Sequence, residues 1–350
     1  MNPSPSPARP GAVLRVGALV PLSPPGWVEA GRHLLAGLEL GVRDASREGR
    51  AIELAVRDTA ADPARAVAAV DELAGLGVAA LVGEYHSVVA RAVAARAEAL
   101  GMPFLCSSAV LDALTEGPAE HVARLAPAQS RGWSLNADFL LDAGHRRVAV
   151  AAQESVYWAA GTRILRERLA ARGGDLIALD TVDAQAVGEE ILRHGATALL
   201  LLIGTPETAA SIVEAVRDDA RLSGVLIGAP AGQPEFAGWL ARLGSGGAGI
   251  PFLRYLPERP TALGERVGRD LRAELGEAPS FVAFEGYDTV LALAGGLSRG
   301  WGSVDVAGTR GRIRFARVPG VGVWQWAWPP IQVAERDPVD PSRFRVLYGG

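Results

Sequence analysis

The chain has 350 residues, which is enough for about two domains, and 49% of them are hydrophobic, so both domains can bury a core. The net charge of −4, without any block of basic residues, argues against nucleic acid as the main partner. All 35 basic residues are arginine, which excludes a lysine nucleophile, a Schiff base and a P-loop lysine. The single cysteine, Cys106, excludes an intrachain disulfide.

The N-terminal residues 1–12 are rich in proline and serine, and they contain no apolar segment. They predict a disordered lead and do not form a signal peptide as written. The longest apolar run, Ala198–Ile203, is far too short to cross a bilayer. The sequence therefore predicts no direct insertion into a membrane.

Strands alternate with helices twice along the chain, which predicts an α/β fold with parallel sheets. The first series has strands at Val13–Pro21, Ile52–Val56, Ala79–Val82 and Phe104–Cys106, with helices at Gly31–Asp44, after Asp62-Pro63, and from Ser87. The second series begins with a helix at Ser130–Asp142 and ends with a short helix at Pro234–Arg242. After residue 311 the strands are short and no helix connects them, which predicts antiparallel pieces at the sheet edges.

The stretch Val78–Thr115 carries the strongest indication of a ligand site. It predicts two neighbouring parallel strands, with the turns Glu84–Ser87 and Ser107–Val110 at their carboxyl ends. Open parallel sheets bind ligands beyond the carboxyl ends of their strands. We expect Ser87 to cap the following helix and to present its hydroxyl, with the helix N-terminal amides, to an anionic or carbonyl oxygen.

Further candidate ligand residues stand at other strand-to-helix turns. His86 lies in the first of the two turns, and Thr205 follows a strand in the second half. Aromatic residues at such turns are typical of the apolar walls of a small-molecule cleft, although each could pack on its own lobe. The aromatic candidates are Trp27, Tyr85, Tyr157 and Trp158.

The sequence indicates no catalytic, metal or cofactor site. The five histidines lack ligand spacing, and no paired carboxylates or base–nucleophile pair emerge. The G-x-G-x-x-G pattern at residues 244–249 lacks the preceding strand that a dinucleotide site needs, so we expect a flexible crossover there. The G-x-S-x-G pattern at 296–300 follows a helix and not a strand, which leaves a hydrolase as a weak alternative.

Several motifs together resemble the type 1 periplasmic binding proteins, in the leucine/isoleucine/valine-binding branch of ABC-transporter substrate-binding proteins. The motifs are LRVGALVPLS, AGRHLLAGLELGV, ELAVRDTAADPARAVAAVDEL, VAALVGEYHSV, GMPFLCSSAVLDALTE, FVAFEGYDTVLALAGGL and GRIRF. Each motif is loose alone, whereas their order and spacing are specific, and they cover nearly the whole chain from Val13.

The resemblance implies two Rossmann-like lobes joined by a three-strand hinge, with a small-molecule ligand clamped between them. Lobe 1 would comprise residues 13–126 and 251–323, and lobe 2 residues 127–250 and 324–350. Members of the family close on their ligand, and an ABC permease recognises the closed form. The resemblance thus implies export from the cytoplasm, whereas the N-terminus as written favours the cytoplasm.

Carried over by position, the resemblance assigns Ser87 to a ligand carboxylate, with backbone amides from the turn at Ser108 and Ala109. Tyr157 matches a family tyrosine at the rim of lobe 2. Val110 stands where amino-acid binders carry a threonine, and Ala30 replaces a tyrosine of the first lobe.

The residues that hold an α-ammonium in amino-acid binders are missing. Gly204 falls where the resemblance predicts a tyrosine, and Pro230 where it predicts a glutamate. A buried ammonium without an acidic partner is costly. We therefore expect a carboxylate or carbonyl ligand lacking an α-ammonium, unless Glu84 or Glu285 supplies the negative charge.

A second resemblance, of the segment GEYHS at residues 83–87 to the Gly-x-Tyr-x-Ser of amide-sensing relatives, gives an alternative function. Those relatives are cytoplasmic regulators without a signal peptide. In that alternative, Tyr85 and Ser87 would contact a small amide.

Overall fold

The computed structural model describes residues 13–204, 206–296 and 299–349. The strands, numbered in chain order, are Leu14–Val20 (β1), Ile52–Asp58 (β2), Ala80–Gly83 (β3), Phe104–Cys106 (β4), Val122–Arg124 (β5), Arg147–Ala152 (β6), Asp175–Leu179 (β7), Ala198–Leu202 (β8), Leu226–Gly228 (β9), Phe252–Arg254 (β10), Asp305–Gly308 (β11), Gly311–Arg317 (β12), Trp324–Trp326 (β13), Gln332–Arg336 (β14) and Phe344–Gly349 (β15). The helices are Val28–Arg47 (α1), Pro63–Gly75 (α2), Ser87–Leu100 (α3), Gln129–Asp142 (α4), Val156–Ala171 (α5), Ala184–His194 (α6), Pro206–Asp218 (α7), Ala237–Leu243 (α8), Ala262–Leu275 (α9) and Phe281–Gly296 (α10).

The chain divides into two compact units, and it passes from one to the other three times. Unit 1 runs to Pro127 and includes Arg259–Pro329. Unit 2 consists of Ala128–Glu258 and the segment that follows Pro329. The predicted α/β class with two Rossmann-like units is confirmed.

Unit 1 is built on an eight-stranded sheet with the order β11-β12-β13-β5-β4-β3-β1-β2. Its strands β2, β1, β3, β4, β5 and β13 are parallel, and at the edge β12 pairs antiparallel with both β13 and β11. In this register Gly83 lies opposite both Leu19 and Cys106, so β1, β3 and β4 end at the same level. The turns that follow these strands therefore meet at one edge of the sheet.

Unit 2 contains a four-stranded parallel sheet, β7-β6-β8-β9, and a three-stranded antiparallel sheet, β10-β14-β15. The strand β8 is buried along its whole length, because helices cover both faces of a parallel sheet. No helix in the described ranges combines the length and apolarity needed to cross a bilayer.

The crossings between units fall later in the chain than predicted. Strand β10 pairs with β14, so the chain stays in unit 2 beyond residue 250, up to Glu258. Strand β13 pairs with β12 and β5, so residues 324–329 belong to unit 1. The glycine-rich stretch 244–249, predicted as a crossover, lies inside unit 2, where Trp239 donates to the carbonyl of Gly247 at 2.9 Å.

Three predicted features lie outside the described residues. They are the disordered lead at 1–12, the candidate Thr205, and Ser298 of the G-x-S-x-G pattern.

Helices α1 and α10 pack so closely in unit 1 that glycine is required at their contact. A Cβ atom at Gly37 would lie 1.9 Å from the carbonyl oxygen of Ala283, and one at Gly286 would lie 2.4 Å from that of Leu34. These neighbours are backbone atoms and cannot rotate away. Small residues on both helices therefore set the distance between α1 and α10.

We expect Gly37→Ala to lower the free energy of unfolding by about 1–3 kcal/mol, because the added methyl group forces the two helices apart. Gly75→Ala is the matched control, since a Cβ atom there meets nothing within 4 Å. Urea denaturation of both variants measures the difference. Equal stability of Gly37→Ala and wild type would contradict the packing described for α1 and α10.

Candidate functional site

The two predicted turns of unit 1 lie against each other, and we call Glu84–Ser87 with Ser107–Leu111 the unit 1 rim. Ser107 donates its amide to the carbonyl of Gly83 at 2.7 Å, and Ser108 donates to that of Glu84 at 3.3 Å. The Ser87 hydroxyl oxygen then accepts from the amides of Val110, at 3.3 Å, and Leu111, at 3.4 Å. Backbone bonds and one side chain thus fix the two turns relative to each other.

The carboxylate of Glu84 is fully buried beneath the unit 1 rim and shapes its first turn. Its Oε1 accepts from the amides of Tyr85, at 2.8 Å, and His86, at 2.9 Å. The Thr59 hydroxyl donates to Oε2 at 2.7 Å. Burial raises the pKa of Glu84 to about 7, although these three hydrogen bonds oppose the increase.

His86 connects the turn of unit 1 that precedes α1 to the rim. The backbone amide of Trp27 donates to His86 Nε2 at 3.0 Å. Burial of the ring lowers the pKa of His86 to about 4, which favours the neutral ring. Because Nε2 accepts a hydrogen bond, the ring proton is on Nδ1. Tyr85 packs edge-on against both His86, at a centroid distance of 5.4 Å, and Trp27, at 6.3 Å.

Ser87 is the first residue of α3 and not its N-cap, which corrects the sequence-based prediction. The N-cap residue is His86, and its side chain makes no capping hydrogen bond. By contrast, Asp62 caps α2 through the amides of Ala64 and Arg65. The serine oxygen is occupied instead by the amides of the second turn, and its hydroxyl proton can still be donated.

A buried arginine also holds the second turn of the rim. Arg124 Nη1 donates to the carbonyls of Val110, at 3.0 Å, and Leu111, at 2.5 Å. The buried Cys106 thiol lies within 3.7 Å of the Ala109 carbonyl, and burial raises its pKa to about 12. No described residue accepts the amide proton of Ala109, which is one of the two predicted amide donors.

Glu285, a predicted ligand residue, is fully buried in α10 as part of an ion-pair cluster. Arg310 Nη1 donates to Glu285 Oε1 at 3.1 Å, and Arg310 Nε donates to Asp288 at 2.9 Å. Burial raises the pKa of Glu285 to about 7, with Arg310 and the nearby Ser108 hydroxyl opposing the increase. The Ser108 oxygen lacks hydrogen-bond geometry to Glu285, so neither it nor Glu285 Oε2 has a partner among the described residues.

In unit 2 the predicted aromatic residues Tyr157 and Trp158 lie in the first turn of α5. Ser155 caps this helix by accepting from the amide of Trp158 at 3.0 Å. Trp133 of α4 packs against Tyr157, at 5.7 Å, and against Trp158, at 6.2 Å. Gly161 makes room for the Trp133 ring, because a Cβ atom there would lie 2.0 Å from it.

Amide side chains occupy the carboxyl edge of the unit 2 sheet. Gln153, after β6, accepts from the amide of Gly204, after β8, at 2.8 Å. Gln129 donates to the carbonyl of Tyr157 at 3.0 Å, and Gln233 donates to that of Ile203 at 2.6 Å. We refer to the turns after β6, β8 and β9, together with the first turns of α4 and α5, as the unit 2 edge.

One group of described side chains could hold a metal ion by proximity alone: Glu29, His33 and Glu277, whose candidate ligand atoms lie within 4.8 Å of one another. The amide of Ser280 donates to His33 Nδ1 at 3.0 Å, so the ring proton is on Nε2 and points to Glu277 at 3.1 Å. Nε2 could bind a metal ion only if the ring proton moved to Nδ1. There it would face the backbone N–H of Ser280, which is itself a donor. The cluster is therefore better explained as a set of hydrogen bonds that connects α1 to the residues just before α10.

Sequence reasoning missed the residues that position the site from other elements. Thr59, Arg124 and Trp133 contact the predicted residues only through the tertiary fold, and no local motif marks them. Gln129 and Gln233 were also missed, although both stand next to strand-to-helix turns. A search for polar residues flanking each predicted turn would have found these two.

Comparisons with known proteins agree with this architecture. A family model described as periplasmic binding protein matches residues 13–327. No curated protein sequence matches the chain. The two α/β units agree with this family, whose match covers most of the chain. The protein belongs to the periplasmic binding protein family, which consists of solute-binding proteins.

Solved structures of small-molecule-binding proteins share the fold. The leucine-binding protein LivK of Thermotoga maritima is 18% identical, with 95% of this chain and 97% of that chain covered and a TM-score of 0.81. LivJ of Streptococcus pneumoniae, in complex with isoleucine, is 18% identical, with 97% and 100% covered and a TM-score of 0.81. A Rhodopseudomonas palustris solute-binding protein in complex with benzoate is 20% identical, with 97% and 96% covered and a TM-score of 0.78.

The pKa of Glu84 predicts a pH dependence of stability. The folded protein holds this proton with a pKa of about 7, against an ordinary value of 4.5, so folding favours the protonated form. The contribution of Glu84 to the free energy of unfolding should therefore fall as pH rises from 4.5 to 7, by up to about 3 kcal/mol.

Glu84→Gln should remove this part of the pH dependence, and urea denaturation between pH 4.5 and 8 measures it against wild type. The exposed Glu116→Gln is the control, and it should leave the profile unchanged. Parallel profiles for wild type and Glu84→Gln would show that Glu84 ionises normally in the folded protein.

Proposed function

We propose that the protein binds a small organic acid or carbonyl compound that lacks an α-ammonium group, as the substrate-binding component of an ABC-type transporter. The observation that carries this proposal is the set of neutral donors at the unit 1 rim. The Ser87 hydroxyl, the uncapped first turn of α3 and the amide of Ala109 all offer protons to an oxygen. Helix N-terminal amides favour negative charge, which suits a carboxylate.

Neither carboxylate of unit 1 that could have received an ammonium group is free to do so. Both oxygens of Glu84 accept hydrogen bonds from within the rim and from Thr59. Glu285 is fully buried and ion-paired with Arg310. The positions at which amino-acid binders hold the ammonium group, Gly204 and Pro230, carry no charge. These facts support a ligand without an α-ammonium.

We further propose that the protein is not an enzyme. A serine nucleophile needs a base within hydrogen-bond distance, and His86 is the adjacent candidate for Ser87. The acceptor nitrogen of His86 is occupied by the amide of Trp27, and the Ser87 oxygen is occupied by two amides. The hydrogen-bond pattern therefore suits binding and supplies no activated nucleophile.

The amide sensor is a second candidate function, favoured by the contact of Tyr85 with Trp27 next to Ser87. A neutral amide would also satisfy the neutral donors of the rim. Neighbouring genes distinguish the two functions: permease and ATPase genes support transport, whereas an amidase or nitrile-converting operon supports sensing.

Ser87→Ala should weaken ligand binding by about 1–3 kcal/mol, because it leaves a buried ligand oxygen without its donor. Isothermal titration calorimetry measures the loss, and the exposed Ser211→Ala, whose hydroxyl bonds only its own helix, is the control. Unchanged affinity in Ser87→Ala would remove Ser87 from the ligand site. If instead wild type hydrolyses a small ester or amide and Ser87→Ala does not, the protein is an enzyme.

A thermal-shift screen tests the ligand class directly. We expect aromatic or aliphatic carboxylates, keto acids or small amides to raise the melting temperature, and free amino acids to have no effect. Stabilisation by leucine, without any response to its deaminated analogue, would overturn the proposed ligand class. Stabilisation by short amides alone would favour the sensor over the transport protein.

A further inference from the structure

We propose that Gln129 and Gln233 of unit 2 determine specificity by accepting hydrogen bonds from neutral donor groups of the ligand, namely hydroxyl or carboxamide N–H groups. This inference rests on the proposed function, because it names the chemistry that the same ligand carries apart from its acid or carbonyl oxygen. It follows from two buried amide side chains whose orientation the backbone fixes.

Gln129 is the first residue of α4, and only 1% of its surface is exposed. Its Nε2 donates to the backbone carbonyl of Tyr157 at 3.0 Å. A carbonyl oxygen accepts protons and cannot donate them, so the side-chain nitrogen, and not the oxygen, must face it. Gln129 Oε1 is therefore the remaining atom, and it has no hydrogen-bond partner among the described residues.

Gln233 repeats the arrangement at the next strand of the sheet. It lies in the short 3-10 turn Gln233–Glu235 that follows β9, and it is 1% exposed. Its Nε2 donates to the carbonyl of Ile203 at 2.6 Å, directly after β8. Its Oε1 also lacks a partner in the part of unit 2 that the structure describes.

Both glutamines belong to the unit 2 edge, where the carboxyl ends of neighbouring parallel strands meet. Strands β6 and β8 are paired, and the bond from Gly204 to Gln153 links the turns that follow them. Gln129 is bonded to the first turn of α5, the helix that follows β6, and Gln233 is bonded to Ile203, directly after β8. Ligands of open parallel sheets bind beyond this edge, so the two free oxygens stand at the expected side of the sheet.

The chemistry of the two oxygens selects the ligand group. A carboxamide oxygen is a neutral acceptor, and buried acceptors are almost always hydrogen-bonded in folded proteins. A neutral hydroxyl or amide N–H satisfies it without bringing an unpaired charge into a buried position. A charged ammonium would lack a counter-ion there, since each glutamine is neutral. The structure thus assigns a hydroxylated acid or an acid with a carboxamide group as the preferred ligand class.

The test compares ligand pairs that differ by one donor. Benzoate and 4-hydroxybenzoate, and hexanoate and 6-hydroxyhexanoate, are titrated by calorimetry into wild type, Gln129→Met and Gln233→Met. Methionine retains the length of the side chain and removes the acceptor. Gln332→Met is the control, because Gln332 is also a buried glutamine with an unpartnered Oε1, but it lies in strand β14 of the three-stranded sheet and in none of the turns of the unit 2 edge.

We expect wild type to prefer the hydroxylated member of at least one pair by about 5- to 10-fold, the value of one hydrogen bond. Gln129→Met or Gln233→Met should abolish that preference, and Gln332→Met should retain it. Using the ratio of the two affinities cancels any general effect of a variant on stability or binding.

Two results would overturn the inference while leaving the proposed function intact. One is binding of the acids with no preference for the hydroxylated members. The other is a preference that survives in both Gln129→Met and Gln233→Met. If wild type binds none of these acids, and also fails to respond to carboxylates and amides in the thermal-shift screen, the proposed function itself fails and this inference fails with it.

Discussion

The buried carboxylate of Glu84 holds together the first turn of the unit 1 rim. Its two oxygens accept hydrogen bonds from the amides of Tyr85 and His86 and from the Thr59 hydroxyl, and these bonds define the conformation in which the turn leaves β3. That conformation starts α3 at Ser87 and brings its hydroxyl against the amides of the second turn. Without these bonds a carboxylate at this depth would be strongly unfavourable, because nothing would replace its water.

Other buried ionisable groups of unit 1 are also stabilised by partners inside the protein. The buried ionisable groups interact with one another or with the backbone: Glu84 with the rim amides, Glu285 and Asp288 with Arg310, and Arg124 with the carbonyls of the second turn. The Trp326 ring also covers the Arg310 guanidinium at 5.0 Å. The ligand that we propose for the rim would consequently meet neutral hydroxyl and amide donors. A site of this kind recognises an oxygen by hydrogen bonds and discriminates against a cation.

The sequence predicted the fold well because the relevant signals are local. The alternation of strands and helices and the Asp62-Pro63 start of α2 both follow from nearby residues. The role of Ser87 was only partly predictable. Its position in the turn is local, but the amides it accepts belong to residues 23 and 24 positions away. Likewise, nothing near Glu285 in the chain reveals Arg310, so its ion pair required the tertiary structure. The final boundaries between units also depend on strand pairing, as β10 and β13 show.

The position of Cys106 has a practical consequence. The thiol is completely buried at the end of β4, and its raised pKa keeps it protonated at neutral pH. Because thiolate is the reactive form, this cysteine is inert toward alkylating dyes while the protein is folded. It is also the only cysteine in the chain. A cysteine introduced at an exposed position such as Val156, which is 55% exposed in the first turn of α5, would therefore be the single labelling site. The native protein is thus already suited to conversion into a fluorescent reporter of its own ligand.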